Sequence, residues 1–143
     1  MHEGWKENWR VLAPTADRRT DLSRRGGMRA AVDELRELPE GTLVTIFAPG
    51  FGAVHRVRKC ARQAEIVHWR EYMAFPSVQA PAYLVEASPT SLDYFFDTVA
   101  TVPPNVARLE SAANLGLTVL RAACRSSLLR RLFPGRILVG SRA

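Results

Sequence analysis

The chain has 143 residues, 47% of them apolar, and a formal charge of +6 carried largely by arginine. That length makes one domain, which buries about 70% of the surface its unfolded chain exposes and needs neither a disulfide nor a metal to hold it. The apolar fraction excludes a disordered chain. No apolar run approaches the ~20 residues of a membrane span, and the opening MHEGWKENWR lacks the apolar core of a secretion signal.

The arginine surplus permits attraction to nucleic acid, anionic lipid or a phosphorylated ligand. Nucleic acid is not expected as a partner, because no recognisable binding motif concentrates the charge. Cys60 and Cys124 lie far apart on apolar helical faces and read as two buried thiols in a reducing compartment. A cytoplasmic protein is therefore expected.

Residues 1–27 read as a polar N-terminal segment and 28–143 as one α/β domain. Residues 1–8 are a polar start, and Trp9 to Ala13 is a candidate short strand ended by Pro14. Ala16 to Gly27, ADRRTDLSRRGG, shows no apolar period and reads as an exposed charged connector. Met28, Ala31, Val32, Leu35 and Leu38 recur at helical spacing, and Pro39 ends that helix. In a doubly wound sheet it packs on the face opposite the next helix.

Leu43, Val44, Ile46 and Phe47 form a short run between Pro39-Glu40-Gly41 and Pro49-Gly50. It predicts a strand over 42–48, buried on both faces. Val54, Val57, Ala61 and Ala64 then give a helix over 53–63, with Arg56, Arg58, Lys59 and Arg62 mostly on its other side. An extended pattern resumes over 65–72. Strand, helix and strand make a βαβ unit, which predicts two parallel neighbours joined by a right-handed crossover.

Pro76 and Pro81 interrupt the extended pattern without ending it, and Ala82 to Ala87 suits an edge strand. Ser88-Pro89 signals a helix start, and Leu92, Phe95, Phe96 and Val99 give it an apolar stripe that Pro103-Pro104 stops. The longest helical pattern runs over 109–132, flanked by Arg121, Arg125, Arg130 and Arg131. Pro134-Gly135 closes it, and 136–141 reads as a terminal antiparallel strand.

This order of elements, with Leu38-Pro39-Glu40-Gly41-Thr42-Leu43 before a strand and Pro134-Gly135-Arg136-Ile137-Leu138-Val139 at the end, resembles the C-terminal half of class I S-adenosylmethionine-dependent methyltransferases. The proline-broken piece from Tyr72 to Val85 resembles an insertion in a bacterial methyltransferase-like group, some of whose members are joined to phosphotransferase domains. The resemblance covers roughly residues 28–143. It implies a Rossmann-like, mostly parallel sheet flanked by helices, with a terminal antiparallel strand. The family's glycine-rich loop and ribose-binding acid belong to its first half, and nothing in residues 1–27 matches them. The resemblance thus implies a half-domain: an accessory or partner-dependent component of a biosynthetic pathway. A protein partner supplying the missing half, or a homo-oligomer, would complete it. S-adenosylmethionine is the implied cofactor, bound weakly or not at all by this chain alone. The alternatives are a small active methyltransferase taking a small-molecule substrate, and an arginine-rich module binding an anionic partner.

Candidate residues gather after the 42–48 strand. Gly50, Phe51 and Gly52 stand between strand and helix, where glycine lets backbone N–H groups approach a ligand, and are the candidate cofactor contacts. A plain strand-to-helix turn has the same pattern, and the acid expected ~20 residues on is out of place, Glu65 and Glu71 being the nearest. His55, at the strand's carboxyl end, is the candidate general base, and Tyr72 and Phe75 are the candidate substrate contacts within an aromatic-rich middle. Cys60 and His68 are too few for a zinc site. Asp93 and Asp97 fit a solvated helix face.

Overall fold

The computed structural model describes residues 18–23, 27–79, 81–99, 115–116, 118–119, 121–122 and 126–143. In chain order its elements are β1 (Arg18–Asp21), α1 (Gly27–Arg36), β2 (Leu43–Ala48), α2 (Ala53–Gln63), β3 (Ile66–Pro76), β4 (Pro81–Glu86), α3 (Pro89–Thr98), α4 (Ser127–Leu132) and β5 (Arg136–Arg142). The strands form one five-stranded sheet in the order β1-β2-β5-β3-β4. Only β1 and β2 pair in parallel; β2–β5, β5–β3 and β3–β4 are antiparallel. The fold is α/β with a mixed sheet, which corrects the mostly parallel sheet expected from the resemblance.

The correction has one cause. β2 and β3 do run in the same direction, each being antiparallel to β5, but they are not neighbours. The terminal strand slots between them. Its successive apolar residues Ile137 and Leu138 are both fully buried, as in a strand covered on both faces, and Arg136 is buried beside them. Gly140 makes the fit possible. It lies opposite an irregularity in β3 where His68 and Trp69 stand against one β5 residue, the pattern of a β-bulge. His68 takes the left-handed conformation there, at φ 51°. A Cβ on Gly140 would sit 2.7 Å from Ile66 Cγ2 and 2.9 Å from both Trp69 Cβ and the Val67 carbonyl.

Two further expectations change. The charged connector contains β1, whose Thr20 is buried and whose register sets Thr20 beside Ile46. Arg18 of β1 pairs with Glu34 of α1. With β1 in place, β1–α1–β2 and β2–α2–β3 are crossovers that step across the sheet in the same sense. The right-handed rule then puts both helices on one face. They pack there together, Ala31, Val32 and Leu35 of α1 sharing a core with Val57, Cys60 and Ala61 of α2 and with Val44, Ile46 and Ala48 of β2. The opposite-face placement expected for α1 does not occur, because the strand order never reverses between these crossovers.

On the same side, Leu92, Phe95 and Phe96 of α3 close over Met73 and Phe75 of β3. Ser88 caps α3, its hydroxyl accepting from the Ser91 N–H at 3.2 Å with Pro89 in the first turn, as expected. β4 is an edge strand that begins at Pro81, as the sequence suggests. The other face of the sheet carries Ala74, Val78 and Ile137, with Phe47, Tyr72, Leu84 and Val139 half-buried around them. The candidate strand at Trp9–Ala13 lies outside the described residues, as do positions 109–114, 117, 120 and 123–125 of the long helix expected over 109–132. Among the described residues, no helix is long and apolar enough to cross a membrane.

Candidate functional site

Two left-handed glycines turn the chain from β2 into α2. Gly50 has φ 73° and Gly52 φ 71°, values that L side chains rarely adopt. Gly52 is the N-cap, and its carbonyl accepts the Arg56 N–H at 3.1 Å. The Gly50 carbonyl accepts from the Gly135 N–H at 3.0 Å, which ties this turn to the one that opens β5. Arg56 reaches back to donate to the Pro49 carbonyl and, at 3.1 Å, to the Leu22 carbonyl. The candidate loop is thus anchored from both sides.

From that turn α2 points its apolar stripe at the sheet and leaves its cations along one flank. His55, Lys59 and Arg62 are exposed and Arg58 is half-buried. Together with Gly52, Gln63 and Arg131 and Leu132 of α4, they line a groove of about 670 Å³. No carboxylate stands among its described lining residues. His55 makes no hydrogen bond or ion pair among the described residues, so no acid orients it as a base.

At the inner end lies a smaller cavity of about 160 Å³, lined by Val54, Arg58, Glu71, Ala87, Arg130, Arg131 and Arg136. Glu71 is the one acid among its described lining residues. The Arg58 guanidinium grips it in a two-point contact, Nε to Oε1 at 2.5 Å and a terminal nitrogen to Oε2 at 3.1 Å. Arg136 Nε stands 4.0 Å from Glu71 Oε2, with a side chain only 2% exposed. A terminal nitrogen of Arg136 donates to the Arg130 carbonyl at 2.6 Å. Strand parity explains the convergence. Glu71 projects to the helix-covered face, as Met73 and Phe75 do, and faces Leu138 in the neighbouring β5.

The remaining candidates fall elsewhere. Phe51 is 78% exposed beside the groove. Phe75 is buried in the aromatic cluster, 4.8 Å from Phe95 and 5.2 Å from Phe133 between ring centroids. Tyr72 lies on the opposite face of the sheet, among Phe47, Leu84 and Val139. The candidate substrate pair is therefore split between two faces, whereas Gly52 and His55 are brought to one groove. Burial pushes the Cys60 thiol up to about 11, so it stays protonated at neutral pH. Cys124 lies outside the described residues. Glu65 is engaged by Arg142 at 3.0 Å. Among the described residues no three His, Cys, Asp or Glu side chains cluster as metal ligands would.

Sequence spacing did not single out Glu71, Arg136 and Arg131 as neighbours. A signal for Glu71 was present: it stands two residues from Trp69 and two from Met73, so an alternating strand places it among buried side chains. Compared with known proteins, the chain matches no protein-family profile, no curated protein and no solved structure.

Proposed function

We propose that this chain is a methyltransferase-like half-domain, an accessory component that depends on a partner for any S-adenosylmethionine chemistry. The element order from α1 onward supports this reading: helix, strand, helix, a strand pair interrupted at Pro76 and Pro81, and, after α3 and α4, a closing antiparallel strand come in the order that the resemblance implies. β1 stands at an edge of the sheet, where a further strand from a partner or a second copy would add in register.

The observation that carries the partner-dependent reading over an active enzyme is the charge of the groove beside the glycine turn. S-adenosylmethionine brings a sulfonium and an ammonium against one carboxylate, and its ribose hydroxyls call for an acid. Among the described residues the groove offers Arg58, Lys59, Arg62 and Arg131 and no carboxylate. The first two acids after the turn in sequence, Glu65 and Glu71, are held by Arg142 and Arg58. Like charge in a partly enclosed site opposes the cofactor rather than binding it. Calorimetric titration of the chain alone with S-adenosylmethionine should give no binding tighter than about 10 µM (roughly −7 kcal/mol). A dissociation constant below that value would return the active-methyltransferase reading to first place.

The same lining favours a second reading, an arginine-rich module that holds an anionic partner.

A further inference from the structure

We infer that the α2–α4 groove and its inner cavity form a binding site for a small molecule with a terminal phosphate or similar oxyanion. The inference deepens the anionic-partner reading and does not rest on the methyltransferase one. It starts from charge. Among the described residues the inner cavity brings the guanidinium groups of Arg58, Arg130, Arg131 and Arg136 together with one carboxylate, that of Glu71. Guanidinium groups offer paired N–H donors in a fixed fork that matches a tetrahedral oxyanion. They come from three separate elements: Arg58 from α2, Arg130 and Arg131 from α4, and Arg136 from β5. Glu71 orients Arg58 and stands beside Arg136, so these two are held in place before any ligand arrives.

Size decides between kinds of anion. The inner space of about 160 Å³ is roughly five times the ~30 Å³ that one water occupies in the liquid, which suits one compact oxyanion. The outer groove of about 670 Å³ is in the range of small-ligand sites, roughly 300–1,000 Å³. Lys59 and Arg62 extend the positive lining outward along α2, so a second anionic group on the same molecule would meet charge as well. Among the described residues neither space is lined by a Phe, Tyr or Trp. Single-stranded nucleic acid binds through such stacking platforms as well as cations, so the lining fits a phosphorylated small molecule better than a polynucleotide.

The test is calorimetric titration of the full chain with inorganic phosphate, pyrophosphate and a single-stranded oligonucleotide at fixed ionic strength. Arg131→Gln and Lys59→Gln, both at exposed positions that spare the core, are compared with Arg70→Gln on the opposite face of the sheet. Pyrophosphate should bind more tightly than phosphate. Its dissociation constant should rise about tenfold or more in Arg131→Gln, rise measurably in Lys59→Gln, and stay within twofold in Arg70→Gln. Absence of pyrophosphate binding would overturn the assignment. So would equal weakening by all three substitutions, which is the mark of diffuse charge. Oligonucleotide binding that outcompetes pyrophosphate with a steep salt dependence would also overturn it, in favour of a nucleic-acid surface.

Discussion

Glu71 is the residue on which the site depends. It is 12% exposed and neutralises two guanidinium groups, one of them at a side chain almost wholly buried. Removing one partner from a buried charge cluster costs far more than removing an exposed member, because the remaining charges lose their compensation. Glu71→Gln keeps the shape and should destabilise the protein by about 2–4 kcal/mol. Arg58→Gln should cost about 1 kcal/mol or less, since Arg58 is 38% exposed and well solvated and Arg136 stays beside the carboxylate. Urea midpoints of the two variants compare them directly, and an equal or smaller loss in Glu71→Gln would refute the cluster. Residue-scale logic of this kind was partly legible in the sequence. Tyr72 and Phe75 differ by three positions, so one strand must send them to opposite faces, and pairing them as substrate contacts overlooked that parity. Arg136 was not legible as buried, because a charged residue opening a strand reads as exposed until its neighbours are known.

At the scale of elements, the close contact between β3 and β5 is the most constrained feature. Gly140 has no space for a Cβ, its neighbours being the Val67 backbone and the base of Trp69 as well as a flexible Ile66 methyl. Gly140→Ala must displace one strand and should cost about 2 kcal/mol or more. Across the bulge, His68 holds a left-handed conformation that costs most L-residues about 1–2 kcal/mol. His68→Gly relieves it and should be neutral or slightly stabilising, because glycine's extra chain entropy offsets part of the gain. Calorimetric melting of both variants checks the pair, and a neutral Gly140→Ala would show that β5 is not so tightly seated. The individual elements were readable: β2, α1, α2, α3 and β5 all arise where apolar spacing and turn residues place them. β1 was missed because RRTD has no apolar alternation. It is a strand by virtue of its pairing with β2 and of Thr20 and the following Leu22 packing beneath α1, a tertiary cause that local pattern does not display.

For the whole molecule, one strand's position decides the rest. Missing β1 concealed the sense of the two crossovers, and so the shared face of α1 and α2. Assuming β2 and β3 to be neighbours concealed the central slot for the chain's last strand. Strand order is set by which edges remain open after the crossovers form, and residue spacing within a strand carries little of that information. The consequence is functional as well as architectural. By entering between β2 and β3, β5 brings Arg136 to the buried edge of the groove, ties Gly135 to Gly50, and makes the glycine turn part of the sheet's centre.

Native-state hydrogen exchange tests this arrangement most directly, because central strands open only with the whole domain while chain ends fray. The amides of Ile137, Leu138 and Val139, although within a few residues of the C-terminus, should exchange as slowly as those of Val44–Phe47 and far more slowly than those of β1. Exchange of 137–139 at the rate of a frayed terminus, with β2 still protected, would contradict the central placement of β5 and with it the assembled arginine site.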